Sequence, residues 1–271
     1  MKRIFKTIVG AVGAASVCLS MNVNADVVSE SGITWDTTEQ GGLAASVQFQ
    51  QWYSNGDYGM ANGVPVINSS SAQDVTLGAG VLTGIGKFTL FSDGRAQGPF
   101  GFGGGTSFCT SGPGACELTF AFGGLVPLSV TEFDFSNAWL NVYYDDMSLD
   151  GTGFGDVSST SYSRYSEAQD GNLWASFSFD DFVFASLSGD FTDGEGYAEL
   201  SVTGGEAFDT LNFSEGGPDF EFVTASQFEN NSNNYSTTGD GNITTVSAPS
   251  TVAFFGLALM GLGAVSRRKL K

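Results

Sequence analysis

Apolar and polar residues alternate with period two along much of this chain, and helical spacing is hard to find. Across 117–122, Leu118, Phe120 and Phe122 fall on one face. Across 174–179, Ala175, Phe177 and Phe179 oppose Trp174, Ser176 and Ser178, and 198–202 alternates in the same way. This pattern predicts half-buried antiparallel strands. Further strands are expected at 45–52, 74–77, 87–91, 138–144, 182–187 and 220–224. Across 128–135 the apolar parity switches between Val130 and Phe133, which predicts a bulge or a strand that changes sheets.

Turn pairs punctuate these runs: Asn55-Gly56, Asn62-Gly63, Asp93-Gly94, Asp150-Gly151, Asp170-Gly171 and Asp193-Gly194. Many short strands with glycine-rich turns predict an all-β fold, an antiparallel β-sandwich or jelly-roll-like single domain over 26–229. The 38 glycines oppose a helical bundle. Two stretches read as irregular: the glycine-rich 98–105, and 230–246, whose Asn, Ser, Thr and Gly predict a linker.

Both ends of the chain read as transport signals. Lys2, Arg3 and Lys6 precede a short apolar core over 7–19, and Val23-Asn24-Ala25 is a small-x-small cleavage site. This is a secretory signal peptide, 1–25, cut between Ala25 and Asp26 by signal peptidase after entry into the general secretion machinery. At the other end, 247–271, Ser247-Ala248-Pro249-Ser250-Thr251 leads into an uncharged run, 252–265, and then Arg267, Arg268, Lys269 and Lys271. Fourteen residues of helix reach roughly 21 Å, against a hydrocarbon core of about 30 Å. The run spans weakly, by thinning the bilayer and borrowing its flanks. Its cations hold the tail on the cytoplasmic side and leave the body outside. A buried core helix would carry polar residues at helical spacing, and this run is apolar all round.

Setting the signals aside sharpens the charge. Only Lys87, Arg95 and Arg164 lie in the body, against all 29 acids, so 3 − 29 gives −26 where the whole chain carries −19. Such a surface repels nucleic acid and anionic membrane. It attracts divalent cations and, through them, acidic polysaccharide; solubility in salty water accounts for the same charge. The body's two cysteines, Cys109 and Cys116, bracket a turn-forming loop and are expected to pair in an oxidising compartment.

Candidate chemistry is sparse. Asp146, Asp150 and Asp156, with Asp145 and the glycines 151, 153 and 155, suggest a loop that could wrap Ca2+. An EF-hand register from Asp146 fails at its twelfth position, which is Val157. Asp190, Asp193 and Glu195 form a second acidic turn, and solvated turns are the competing reading of both. With 29 acids, no carboxylate pair is distinctive enough to argue glycoside chemistry. The chain has no histidine, which removes nucleophile–histidine catalysis, and 101–105 lacks the lysine of a phosphate loop. Trp52, Tyr53 and Tyr58 are candidates for stacking on sugar rings, with core packing as the alternative. No catalytic residue and no resident cofactor are expected.

The order Pro249-Ser250-Thr251, glycine-spaced apolar run, Arg267-Arg268-Lys269 resembles the PEP-CTERM sorting signal of Gram-negative bacteria that make exopolysaccharide. That resemblance implies a membrane-embedded cysteine transpeptidase, an exosortase, which cuts near the proline motif and releases the body to the cell surface or matrix. Ser247-Ala248-Pro249 stands where the family has Pro-Glu-Pro. The stretches 116–124, 138–143 and 170–174 are similar to flocculation-associated PEP-CTERM proteins, which implies a role in holding cells and exopolysaccharide together. The sequence thus reads as a secreted, non-enzymatic matrix or biofilm protein. Its rivals are a calcium-dependent carbohydrate-binding module and an exported polysaccharide hydrolase.

Overall fold

A computed structural model describes residues 27–36, 44–71, 73, 76–91, 96–97, 101–102, 109, 111, 115–147, 153–155, 157–158, 161–185, 193–212, 217–227, 229–231 and 234–246. The strands in chain order are β1 (Val27–Glu30), β2 (Ile33–Asp36), β3 (Ala44–Ser54), β4 (Tyr58–Ala61), β5 (Val64–Ile67) and β6 (Val81–Phe91). Then follow β7 (Ala96–Gln97), β8 (Gly101–Phe102), β9 (Glu117–Pro127), β10 (Phe133–Asp134), β11 (Trp139–Asp145) and β12 (Asn172–Ala185). The last are β13 (Asp193–Gly204), β14 (Phe220–Gln227), β15 (Glu229–Asn231) and β16 (Asn234–Thr245). Among the described residues, the helical segments with given bounds are 3-10 turns at Ser161–Arg164 and Glu167–Gln169 and one α-turn, α1 (Phe208–Leu211).

Eight long strands close on themselves in the order β3-β6-β9-β11-β12-β13-β14-β16, and β16 returns to β3. Every pairing is antiparallel, and neighbours around the ring are neighbours along the chain. The all-β, antiparallel expectation therefore holds, but the two-sheet sandwich is replaced by an up-and-down barrel. Period-two alternation is common to both architectures and cannot separate them. Closure is what differs, and it comes from the ring pairing most distant in sequence, β16 with β3, the last barrel strand with the first.

The barrel's last strand lies where a linker was expected. β16 occupies most of 230–246 and pairs with β14 from Phe220–Thr245 to Ser226–Gly239 and with β3 from Ser236–Trp52 to Thr244–Ala44. Of the strand expected over 74–77, Asp74 and Val75 lie outside the described residues, while Thr76 is in no strand and Leu77 begins a turn. Asp193-Gly194 opens β13 and is not itself a turn. At the parity switch, β9 ends at Pro127 and the chain doubles back as β10, which pairs with the end of β9. Asn62-Gly63 forms the tight turn of the β4–β5 hairpin with φ of 52° and 83°, the left-handed region such a two-residue loop requires.

An eight-stranded barrel is just wide enough for side chains to fill it, and phenylalanine does so here. Phe49, Phe88, Phe120, Phe122, Phe177, Phe220 and Phe222 belong to one buried cluster with Val47, Leu140, Val142, Leu200 and Ile243. Their rings meet edge to face, as Phe177 meets Phe220 at 5.5 Å and Phe88 meets Phe120 at 5.8 Å. Gly84 and Gly86 on β6 leave space for the rings of Phe122 and Phe120. Small residues opposite large ones are how a narrow barrel fits its contents.

Each end of this core is stopped by a hairpin. At one end the β1–β2 hairpin inserts Ile33, 0% exposed, beside the disulfide. Ile33 bridges Cys109, whose Sγ is bonded to Cys116 with the Cα atoms 5.6 Å apart. Trp174 donates its indole N–H to Glu30 O at 3.3 Å, and Thr210 on α1 donates to the Glu30 carboxylate at 3.0 Å. At the other end Phe133 on β10 covers Phe182 and Phe184, at centroid distances of 5.2 and 5.8 Å.

Candidate functional site

Three surfaces qualify as sites: the lobe outside β3, β6, β9 and β11, the barrel end beneath Phe133, and the outer face of β12, β13 and β14. The lobe consists of the β4–β5 hairpin and the 3-10 turns, and it covers a second apolar cluster of Trp52, Ile67, Ile85, Ala121, Trp139, Tyr143, Phe154 and Ala168. This is why β9 is buried on both faces and not half-buried as alternation alone predicts. Buried polar groups bind the lobe to the wall. Asn141 donates to Pro65 O at 2.7 Å and accepts from Ser176 Oγ at 2.7 Å. Thr119 donates to Ala168 O at 3.0 Å, and Gln50 accepts from the Tyr162 N–H. Gln169 accepts from Ile67 N at 2.8 Å and donates to Tyr165 O at 2.7 Å.

The aromatics considered for sugar stacking are spent in packing, Trp52 and Tyr58 under the lobe and Tyr53 inside the barrel. Trp52 and Tyr53 are buried, and burial pushes the Tyr53 phenol well above its ordinary value. Tyr58 meets Trp139 edge to face at 5.5 Å, and its hydroxyl bonds Thr83 at 3.0 Å and accepts from Gly124 N at 2.9 Å. Tyr143 lies under the same lobe, where burial pushes its phenol up to about 12. The lobe buttresses the wall through these buried contacts and leaves the Arg164–Glu167 pair at its surface.

Toward the end of the barrel where Phe133 contacts Phe182 and Phe184, a water-sized cavity of about 30 Å³ is lined by Phe49, Leu82, Phe122, Leu125, Phe182 and Phe184, with Ala198 and Gly196 on β13. Gln51 and Thr224 are the polar side chains in its wall. On the outside, Asp181, Glu199 and Glu221 stand opposite one another across β12, β13 and β14. The next row toward the Phe133 end is Val183, Tyr197 and Val223, with the two valines 49% and 48% exposed. Tyr197 donates to Glu199 Oε1 at 3.2 Å. Its phenol is pushed up to about 12, first by desolvation and then by the charges of Glu221 and Glu199. This face thus sets a carboxylate row beside a row of two exposed valines and Tyr197.

Of the residues singled out from sequence, Cys109 and Cys116 are brought together. Asp146 lies just past β11, while Asp150 and Asp156 fall outside the described residues. Among the described residues, no three acidic or cysteine side chains converge to hold a metal ion. Asp193 and Glu195 of the second acidic turn belong to β13, and Asp190 is outside the described residues. Ala25, Asp26, the 247–251 motif, the apolar run and Arg267, Arg268, Lys269 and Lys271 are likewise outside them. No described helix is long and apolar enough to cross a membrane. The small cavity had no signature in the sequence.

Comparison with known protein families, with curated proteins and with solved structures finds no match to this chain.

Proposed function

We propose that this chain is a secreted, acidic, non-enzymatic protein of the extracellular matrix, sorted by an exosortase and associated with exopolysaccharide in flocs or biofilm. The observation that carries the reading is where the barrel ends. β16 stops at Thr245, Val246 donates its N–H to Asp219 O at 2.9 Å, and Ser247-Ala248-Pro249-Ser250-Thr251 follows directly. A cut at that motif leaves all eight barrel strands on the released side. The signal peptide ends equally close to the fold, one residue before β1.

The released barrel suits life outside the cell. Its ring has no free strand edge to template aggregation, and a disulfide pins one end. Its outward carboxylates, such as the row of Asp181, Glu199 and Glu221, offer charge for cation bridges to acidic polysaccharide. The path runs through the general secretion machinery and signal peptidase, a transient anchor in the inner membrane of a Gram-negative cell, and then the surface or matrix.

Mass spectrometry of the protein recovered outside the cell tests this reading. The expected C-terminus falls within or beside 247–251, and removal of 247–271 should abolish its accumulation in the matrix. A secreted protein that still ends in Lys271 would overturn the proposal.

A further inference from the structure

The barrel wall has two unlike sides. The lobe covers the outside of β3, β6, β9 and β11, whereas the outer face of β12, β13 and β14 exposes Val183 and Val223. Two residues along a strand advance about 7 Å, so this second face is a ladder of rows. Asp181, Glu199 and Glu221 make one row, and Val183, Tyr197 and Val223 make the next. Glu195, exposed and opposite Ala185, stands beyond them. An apolar stripe thus crosses three strands with carboxylates along both of its borders.

The carboxylates of the first row converge. Tyr197 donates to Glu199 Oε1 at 3.2 Å, and after desolvation it is the charges of Glu221 and Glu199 that push its phenol up. Both acids therefore stand at one hydroxyl. Asp181 accepts from Phe182 N at 2.8 Å. Like charges facing each other across strands oppose folding. The basic side chains among the described residues, Lys87 and Arg164, belong to β6 and to the lobe, so the row's countercharge comes from outside the described chain.

Shape narrows the partner. β13 is paired along both sides, so no extended peptide can add to it as a strand. Two valines and a tyrosine in one row of a continuous sheet are not the apolar groove that a helix requires. They match a narrow ribbon of rings, whose C–H faces rest on the valines and stack on the tyrosine. Cations along both edges of that ribbon complement the two acidic borders.

We propose that the outer face of β12, β13 and β14 binds a polysaccharide of protonated amino sugars, its rings along Val183, Tyr197 and Val223 and its ammonium groups on Asp181, Glu199, Glu221 and Glu195. This rests on the association with exopolysaccharide proposed above and names the charge of the polymer. It needs no metal bridge and no step of sorting.

Calorimetry on the secreted protein with a glucosamine hexamer tests it, beside an N-acetylglucosamine hexamer, a lysine hexapeptide, and a galacturonate hexamer with Ca2+. The glucosamine hexamer should bind saturably at one per chain, at least ten-fold more tightly than each of the others. Glu199→Gln together with Glu221→Gln should weaken it at least ten-fold. Asp57→Asn together with Glu167→Gln, the same loss of charge on the lobe, should change it less than two-fold. Tyr197→Ser should weaken it several-fold and Tyr197→Phe hardly at all, with the far-ultraviolet circular dichroism spectrum the same throughout. No saturable binding of the glucosamine hexamer would overturn the proposal. So would equal binding of its acetylated form or of the lysine peptide, or an equal effect of the two charge-matched pairs. Galacturonate with Ca2+ binding in its place would also overturn it, while leaving the matrix reading intact through cation bridges; sorting is decided separately, by the secreted C-terminus.

Discussion

The ring of Phe122 lies over Gly84, so that a Cβ at that position would overlap its edge. Gln50 O, in the neighbouring strand's backbone, would stand only 2.9 Å from the same atom. The ring cannot retreat without disturbing Phe49, which it meets edge to face at 6.4 Å. Gly84→Ala should therefore destabilise the barrel by about 1–3 kcal/mol or more, as overpacked cores do, although alanine is better than glycine in an ordinary strand. Urea unfolding measures it. A variant as stable as the wild type would mean that the β6–β9 seam is looser than described.

Placing the strand β16 between β14 and β3 makes the segment 234–245 indispensable. A chain beginning at Asp26 and ending at 246 should unfold cooperatively, since every barrel strand is present. One ending at 229 leaves β14 and β3 with unpaired edges and Phe222 without Ile243 beside it. It should bind a hydrophobic dye and show no cooperative thermal transition. Equal melting temperatures for the two chains would restore the linker reading of this segment.

What could be read from the sequence follows from how strongly each strand's two faces differ. β9, β11, β12 and β13 alternate sharply, and they were legible. β16 was not: its inward positions include Gly241, and its Asn, Ser, Thr and Gly resemble a linker in composition. The signal present was local, the β-branched run of Ile243, Thr244 and Thr245. Closure was illegible because it depends on which strands meet, and the same pattern serves a sandwich. The lobe was hidden for a related reason. Gln50, Thr119 and Asn141 occupy outward strand positions that ordinarily face water, and only tertiary contact shows that they are covered. The change of parity before Phe133 did mark a real break, though the chain reverses there and does not change sheets.

Asn141 tests whether the lobe is held by its polar bonds. It is buried, and it joins the β5 carbonyl of Pro65 to Ser176 on the barrel wall. Asn141→Ala would strand both partners, each at a cost of about 1–3 kcal/mol when buried. The expected loss is on the order of 2–4 kcal/mol. Limited proteolysis should then cut the β4–β5 hairpin near Asn62-Gly63 well before the barrel strands. Ser176→Ala alone should cost less, since the Pro65 bond survives it. A hairpin equally protected in both variants would show that apolar packing alone secures the lobe.

Glu117 stands opposite Asp145 across the β9–β11 ladder, and its carboxylate accepts from Phe154 N at 2.6 Å. Burial raises its pKa above the ordinary carboxylate value; the Phe154 N–H and Lys87 oppose that shift, and Asp145 adds to it. A proton held more tightly in the folded state favours folding at low pH. That contribution is lost as pH rises from the ordinary carboxylate range through the raised value, and above it the ionised group is a standing penalty. Glu117→Gln keeps an acceptor for Phe154 and cannot ionise. Measured from pH 4 to pH 7, its Tm relative to the wild type should therefore climb. Solvent reaches part of the group, so the change should be on the order of 1–2 °C. A difference that stays flat or falls across that interval would mean that the Phe154 bond and Lys87 outweigh the burial of the charge.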